Sequence, residues 1–135
     1  MSRTENMLFR VTFIFENVGK ADGVLNKNLN PKTVDAILKA LPINSTVNTW
    51  GKEIYFSTLV DARQENSKAE VSVGDIAYWP PGKALCLFFG PTPASRDNEP
   101  RAASPVNAIG KIIELDILKN VKDGSKVSVI KKEYS

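Results

Sequence analysis

The sequence predicts a mainly β protein whose strands wrap into a closed or nearly closed barrel, with one main helix and a short second helical stretch. Apolar and polar residues alternate with a period of two along most of the chain. Clear helical spacing occurs once, and Gly, Pro, Asn and Asp break the runs at short intervals.

Residues 7–15 place Phe9, Val11, Phe13 and Phe15 on one face and Arg10 and Thr12 on the other, which is a strand. Residues 17–23 have turn composition, and residues 24–29 return as the hairpin partner. Asn30 before Pro31 reads as an N-cap and first-turn pair. Val34, Ile37, Leu38 and Leu41 follow at helical spacing until Pro42 stops the helix. Strands are expected at 45–49 and 53–60 around a Trp50-Gly51-Lys52 turn, with Ile54 and Phe56 sharing a face. Residues 63–68 read as a loop. Val71, Val73, Ile76 and Tyr78 mark the next strand, offset at Gly74-Asp75 and ended by Pro80-Pro81-Gly82. Residues 84–90 are apolar on both faces, as a fully buried strand requires. The segment 91–105 holds four prolines and reads as a long functional loop. A strand at 106–114, a helical stretch at 115–121, a turn at Asp123-Gly124 and a final strand at 126–131 complete eight strands in the order ββαββββββ.

At 135 residues the chain is expected to form a single domain with its core at about 7–131. Apolar residues make up 42% and charged residues 24%, the balance of a folded protein and not of a disordered one. Eighteen basic residues against 15 acidic ones leave only +3, scattered without a stripe, so no nucleic-acid partner is expected. No apolar run reaches membrane-spanning length and the N-terminus lacks the order of a secretory signal, which predicts a cytoplasmic protein without a membrane partner. The single cysteine excludes an internal disulfide.

The chain has no histidine, which removes Ser-His-Asp and Cys-His activation, His-ligated metals and His general-base schemes. Cys86, inside Leu85-Cys86-Leu87-Phe88-Phe89, reads as a small buried hydrophobe with a raised pKa. Asp61, Glu65, Glu70 and Asp75 have no metal-ligand register and read as solvated turn residues, Asp75 bonding local N–H groups. No metal or other cofactor is expected. Aromatic residues cluster around two turns, and Trp50 and Trp79 sit at strand ends beside Gly or Pro, where core and pocket-wall readings are evenly matched. The candidate ligand-facing set is Trp50, Tyr55, Tyr78, Trp79, Phe89 and Thr92, with Arg96 and Arg101 of the long loop as anion partners.

Residues 47–56 and 73–85, the run Phe88-Phe89-Gly90-Pro91-Thr92-Pro93, and residues 105–112 closely resemble the cyclophilin-like family of small archaeal and bacterial proteins. The likeness covers about residues 7–129 and implies a closed eight-stranded antiparallel cyclophilin-like barrel capped by helices. Phe88-Phe89 and Ile109-Gly110-Lys111-Ile112 also look like the Phe-Phe and Phe-Gly-Lys-Val strands of true cyclophilins. Those proteins are peptidyl-prolyl isomerases, in which an arginine and a glutamine polarise a peptide bond whose rotation barrier is about 18–20 kcal/mol. Here the arginine-bearing Phe-Met-x-Gln-Gly-Gly-Asp stretch is missing, Leu87 stands at the glutamine position, and a pocket histidine cannot exist. No catalytic residue carries over. The expectation is a binding module for a peptide or small molecule with an aromatic-lined cleft. The alternative is an isomerase or other enzyme using the same cleft with non-standard residues, and an exposed apolar patch would allow a homo-oligomer.

Overall fold

Alternation in β1 (Leu8–Phe15) buries Val11, Phe13 and Phe15 almost completely. The computed structural model describes residues 7–132, so residues 1–6, on which the reading of a leaderless N-terminus partly rests, lie outside the described part. Strand β2 (Gly19–Asn26) returns antiparallel with Phe15 opposite Gly19, earlier than the turn composition implied. Asn17 makes this three-residue connection possible by taking φ +65°, a left-handed conformation that Asn tolerates.

Helix α1 (Pro31–Ala40) buries Val34 and Ile37, as its spacing predicts, and Thr33 besides, while Leu38 and Leu41 are half-buried. Asn30 does not cap it, however. Its side-chain nitrogen donates to the Ala108 carbonyl at 2.6 Å, and its oxygen accepts from the Asn66 N–H at 2.6 Å. The first-turn donors go to Glu65, whose two carboxylate oxygens accept from Lys32 N–H and Thr33 N–H, each at 3.1 Å. Glu65 is therefore a helix cap and not a solvated turn residue.

The chain continues through β3 (Ile43–Thr46), β4 (Asn48–Thr49), β5 (Glu53–Ser57), β6 (Lys68–Glu70), β7 (Asp75–Trp79), β8 (Ala84–Phe88), β9 (Arg101–Ile112) and β10 (Lys126–Lys131). All pairings are antiparallel, and the path is β3-β10-β1-β2-β9-β7-β8-β5-β4 with β6 added to β9. This corrects the expectation of a closed eight-stranded barrel: among the described residues the sheet has ten strands, and no ladder joins its ends. Two causes add strands. The expected strand 45–49 is divided at Val47, whose backbone turns away to bond Ser125 and Gly124. Strand β6 begins at Lys68, the last residue of the expected loop 63–68, and the proline-rich segment supplies the first part of β9, which pairs with it. Pro105 is exposed within the stretch where the β6–β9 register shifts, the setting in which a strand accommodates proline. The expected strand at 71–78 begins only at Asp75, because Ser72 to Asp75 form a turn closed by Ser72 N–H donating to Asp75 Oδ2 at 2.8 Å. A short 3-10 helix at Asp116–Asn120 fills the second helical stretch.

Two apolar clusters lie on opposite faces of the same strands. The main core takes Ile54 and Phe56 from β5, Ile76 and Tyr78 from β7, Leu85 and Leu87 from β8, and Phe13, which meets Phe56 edge-on at 6.4 Å. The outward face carries Ala77, Cys86 and Phe88, covered by Val71, Ala102 and Val106, with Tyr55 and Trp79 packed alongside. β8 is thus buried on both faces, as its unbroken apolar run required. Gly110 makes the β2–β9 approach possible, since a Cβ there would lie 2.0 Å from the Val24 carbonyl oxygen.

Candidate functional site

The register that sends Ile54 and Phe56 inward sends Glu53 and Tyr55 outward. In β7 and β8 the same parity turns Trp79 and Cys86 to that outer face, with Tyr55 and Ala77 both opposite Cys86. Residues 101–106 fold over this surface and leave a cavity of about 210 Å³. Trp50, Tyr55 and Trp79 form aromatic walls, Ala102, Ala103 and Val106 close it from the β9 side, and Glu53 and Cys86 complete the lining.

Two of the wall residues are held by their neighbours. Backbone bonds in both directions between Trp50 and Glu53 close the turn that carries Trp50. Trp79 donates its indole N–H to Ser104 Oγ at 2.7 Å, tying the β7 end to the covering segment. Gly82 leaves room beside this ring, because a Cβ at position 82 would come within 2.7 Å of it.

Glu53 is the chemically distinctive group. It is only 6% exposed, although it follows a turn at a strand start. Burial raises its carboxyl from the ordinary 4.5 to about 7, offset in part by a hydrogen bond from the Cys86 thiol. Burial, reinforced by the neighbouring carboxylate, pushes the Cys86 thiol well above its ordinary range. Among the described residues Glu53 makes no ion pair with a Lys or Arg. A carboxyl that titrates near pH 7 in an apolar cavity can donate a proton when neutral and, when ionised, accept one or meet a cation.

The other candidate residues lie elsewhere. Tyr78 points into the main core, where its hydroxyl donates to the Val60 carbonyl at 2.6 Å and accepts from Ala62 N–H at 3.1 Å. Phe89 packs against that same core. Thr92 is buried inside the loop, its hydroxyl donating to the Arg101 carbonyl at 2.5 Å. Arg96 is exposed. Arg101 approaches Glu99 at 3.4 Å and Glu70 at 3.7 Å, so its charge is already answered by carboxylates. The loop itself is internally braced: Glu99 accepts from Arg96 N–H at 3.0 Å and Asp97 N–H at 2.8 Å, which holds its carboxyl down at about 2.

Of the candidate set, Trp50, Tyr55 and Trp79 therefore converge on the cavity, while Glu53, Cys86 and the three β9 residues join them without having been singled out for a site. A second depression of about 330 Å³, between Ala40 and Leu59, is lined by no titratable or aromatic side chain. Among the described residues no group of three Cys, Asp or Glu is arranged to hold a metal ion, and no helix is long and apolar enough to cross a membrane.

A model of the Cyclophilin-like family matches residues 9–130. The solution structure of a hypothetical protein from Archaeoglobus fulgidus is similar at 46% sequence identity, covering 97% of this chain and 100% of the other, with a TM-score of 0.82. No curated protein matches the sequence.

Proposed function

Because the chain belongs to the cyclophilin-like family, yet has neither the glutamine nor the histidine of the isomerase pocket, we propose that it is a binding module whose outer-face cavity receives a small molecule or a single peptide side chain. The observation that carries this reading is the joint occurrence of three aromatic walls and one buried acid around the same void. Mostly apolar lining with a few fixed polar groups is the usual composition of a ligand site. A volume of about 210 Å³ lies below the range for drug-sized ligands, about 300–1,000 Å³. The occupant is accordingly small.

Prolyl isomerisation fits the cavity less well. It needs a donor aimed at the twisting peptide, and the lining contains no arginine, lysine, asparagine or glutamine. Arg101 is held by Glu99 and Glu70 outside the lining.

A ligand-observed NMR screen of small amines, alcohols, amides and carboxylates tests the proposal when repeated on Ala102→Trp, whose indole would fill the void. Binders that vanish in the filled variant support it. A screen without binders, or binders indifferent to Ala102→Trp in a folded variant, overturns it.

A further inference from the structure

Resting on that reading of the cavity, we infer that its ligand carries an alkylated ammonium group, held between the aromatic walls of Trp50, Tyr55 and Trp79 with Glu53 as counter-charge. Indole and phenol faces attract cations through their ring quadrupoles, most strongly where water is excluded. Here two indoles and a phenol share the lining with the carboxyl of Glu53, a residue only 6% exposed. No cation of the protein pairs with that carboxyl among the described residues.

The same lining decides between kinds of cation. A primary ammonium brings three N–H donors that each need an acceptor once desolvated. The side-chain acceptors around the void, the Glu53 carboxyl and the Tyr55 hydroxyl, are both carried by β5, so the donors of a primary ammonium that point toward the β7 and β9 sides meet no side-chain acceptor. The Trp79 indole is a donor only and is occupied by Ser104. A guanidinium has five donors and fits still less well. Alkyl groups on nitrogen remove this demand while keeping the charge, and their methyls meet the apolar surfaces of Ala102, Ala103 and Val106.

Binding then depends on pH. The titratable groups facing Glu53 are Cys86 from β8 and Tyr55 on its own strand, while the residues lining from β7 and β9 carry none. Glu53 ionises near pH 7, so affinity for a permanent cation rises as the solution passes from pH 6 to pH 8. A bound cation in turn favours the carboxylate and releases a proton.

The experiment is a titration followed by protein NMR and tryptophan fluorescence, with choline and its uncharged carbon isostere 3,3-dimethyl-1-butanol as probes. Choline is expected to bind about tenfold more tightly than the isostere at pH 8, with shifts at Trp50 and Trp79, and to lose that advantage at pH 6 and in Glu53→Gln. Equal affinity for the two probes at pH 8, or preference for the isostere, overturns the ammonium assignment but leaves the binding reading standing if both are lost in Ala102→Trp. Binding of neither probe overturns the ammonium assignment, and the broader screen then decides the binding reading separately. A preference for choline that persists unchanged in folded Glu53→Gln removes Glu53 as the counter-charge and also overturns the inference.

Discussion

The Cys86 thiol donates a hydrogen bond to the Glu53 carboxyl across neighbouring strands. In the β5–β8 ladder Glu53 lies opposite Phe88 and Tyr55 opposite Cys86, so thiol and acid meet on the diagonal of one face. A thiol is a weak donor, and it does not offset the cost of withdrawing the acid from water. The protein therefore carries a group that is comfortable protonated and costly ionised.

Stability should follow that cost. The folded-state value of about 7 lies above the ordinary 4.5, so the native state binds more protons than the unfolded chain between these limits. Glu53 therefore destabilises progressively as pH rises from about 4.5 to about 7, by about 3 kcal/mol in total. Below pH 4.5 the trend reverses, because Asp22 and Glu99 have lowered values and lose favourable interactions as they take up protons. Urea melts across pH 4 to 8 should show the decline in the native protein and a flatter profile in Glu53→Gln. Equal slopes in the two proteins would contradict this account.

Glu65→Ala should lower stability by about 1 kcal/mol, since two first-turn N–H groups of α1 and the Thr33 hydroxyl lose their acceptor. Glu70→Ala removes only an exposed carboxylate 3.7 Å from Arg101 and should change stability by a few tenths of that. Thermal melts of the two variants make the comparison; a larger loss in Glu70→Ala would show that the helix is not capped from position 65.

Gly110→Ala should cost about 3 kcal/mol or more, because the atoms crowding the new methyl are backbone atoms of Val24 and Leu25 that cannot rotate aside. Gly124→Ala meets nothing within 4 Å and suffers only the strain of its φ of +90°, about 1 kcal/mol. Chemical denaturation ranks them, and a Gly110→Ala protein as stable as Gly124→Ala would mean that β2 and β9 do not approach so closely.

Local pattern carried much of this architecture. Alternation located β1, β10 and the second half of the strand expected at 71–78, an unbroken apolar run located β8, and helical spacing found α1 to within a residue or two of its end. The resemblance in residues 47–56, 73–85 and 105–112 named the family to which the chain belongs. What local pattern could not carry was pairing between distant segments. Glu65 caps a helix that starts 34 residues earlier in the chain, and nothing near Asn30 signals that its amide is engaged by Ala108 and Asn66. Residues 101–105 become strand where β6 lies beside them, whereas Pro100, Pro105 and their polar neighbours read as loop.

The site was legible in proportion to strand parity. Tyr78 shares a face with Ile76, so its inward direction was readable, and Trp79 had to point the other way. In the sequence Glu53 is only the first residue of a strand after a turn. Its signal lay in another strand: β8 is apolar on both faces, so the outer face of the strand paired with it had to be covered as well, and Glu53 is on that face.

Glu53 is held out of water beside Trp50, Tyr55 and Trp79, and the titration of its own carboxyl reports this environment. Following the side-chain carboxyl carbon of Glu53 by 13C NMR from pH 3 to pH 9, assigned with Glu53→Gln, should give a midpoint near 7. A midpoint near the ordinary 4.5 would place the carboxyl in solvent and contradict the site described.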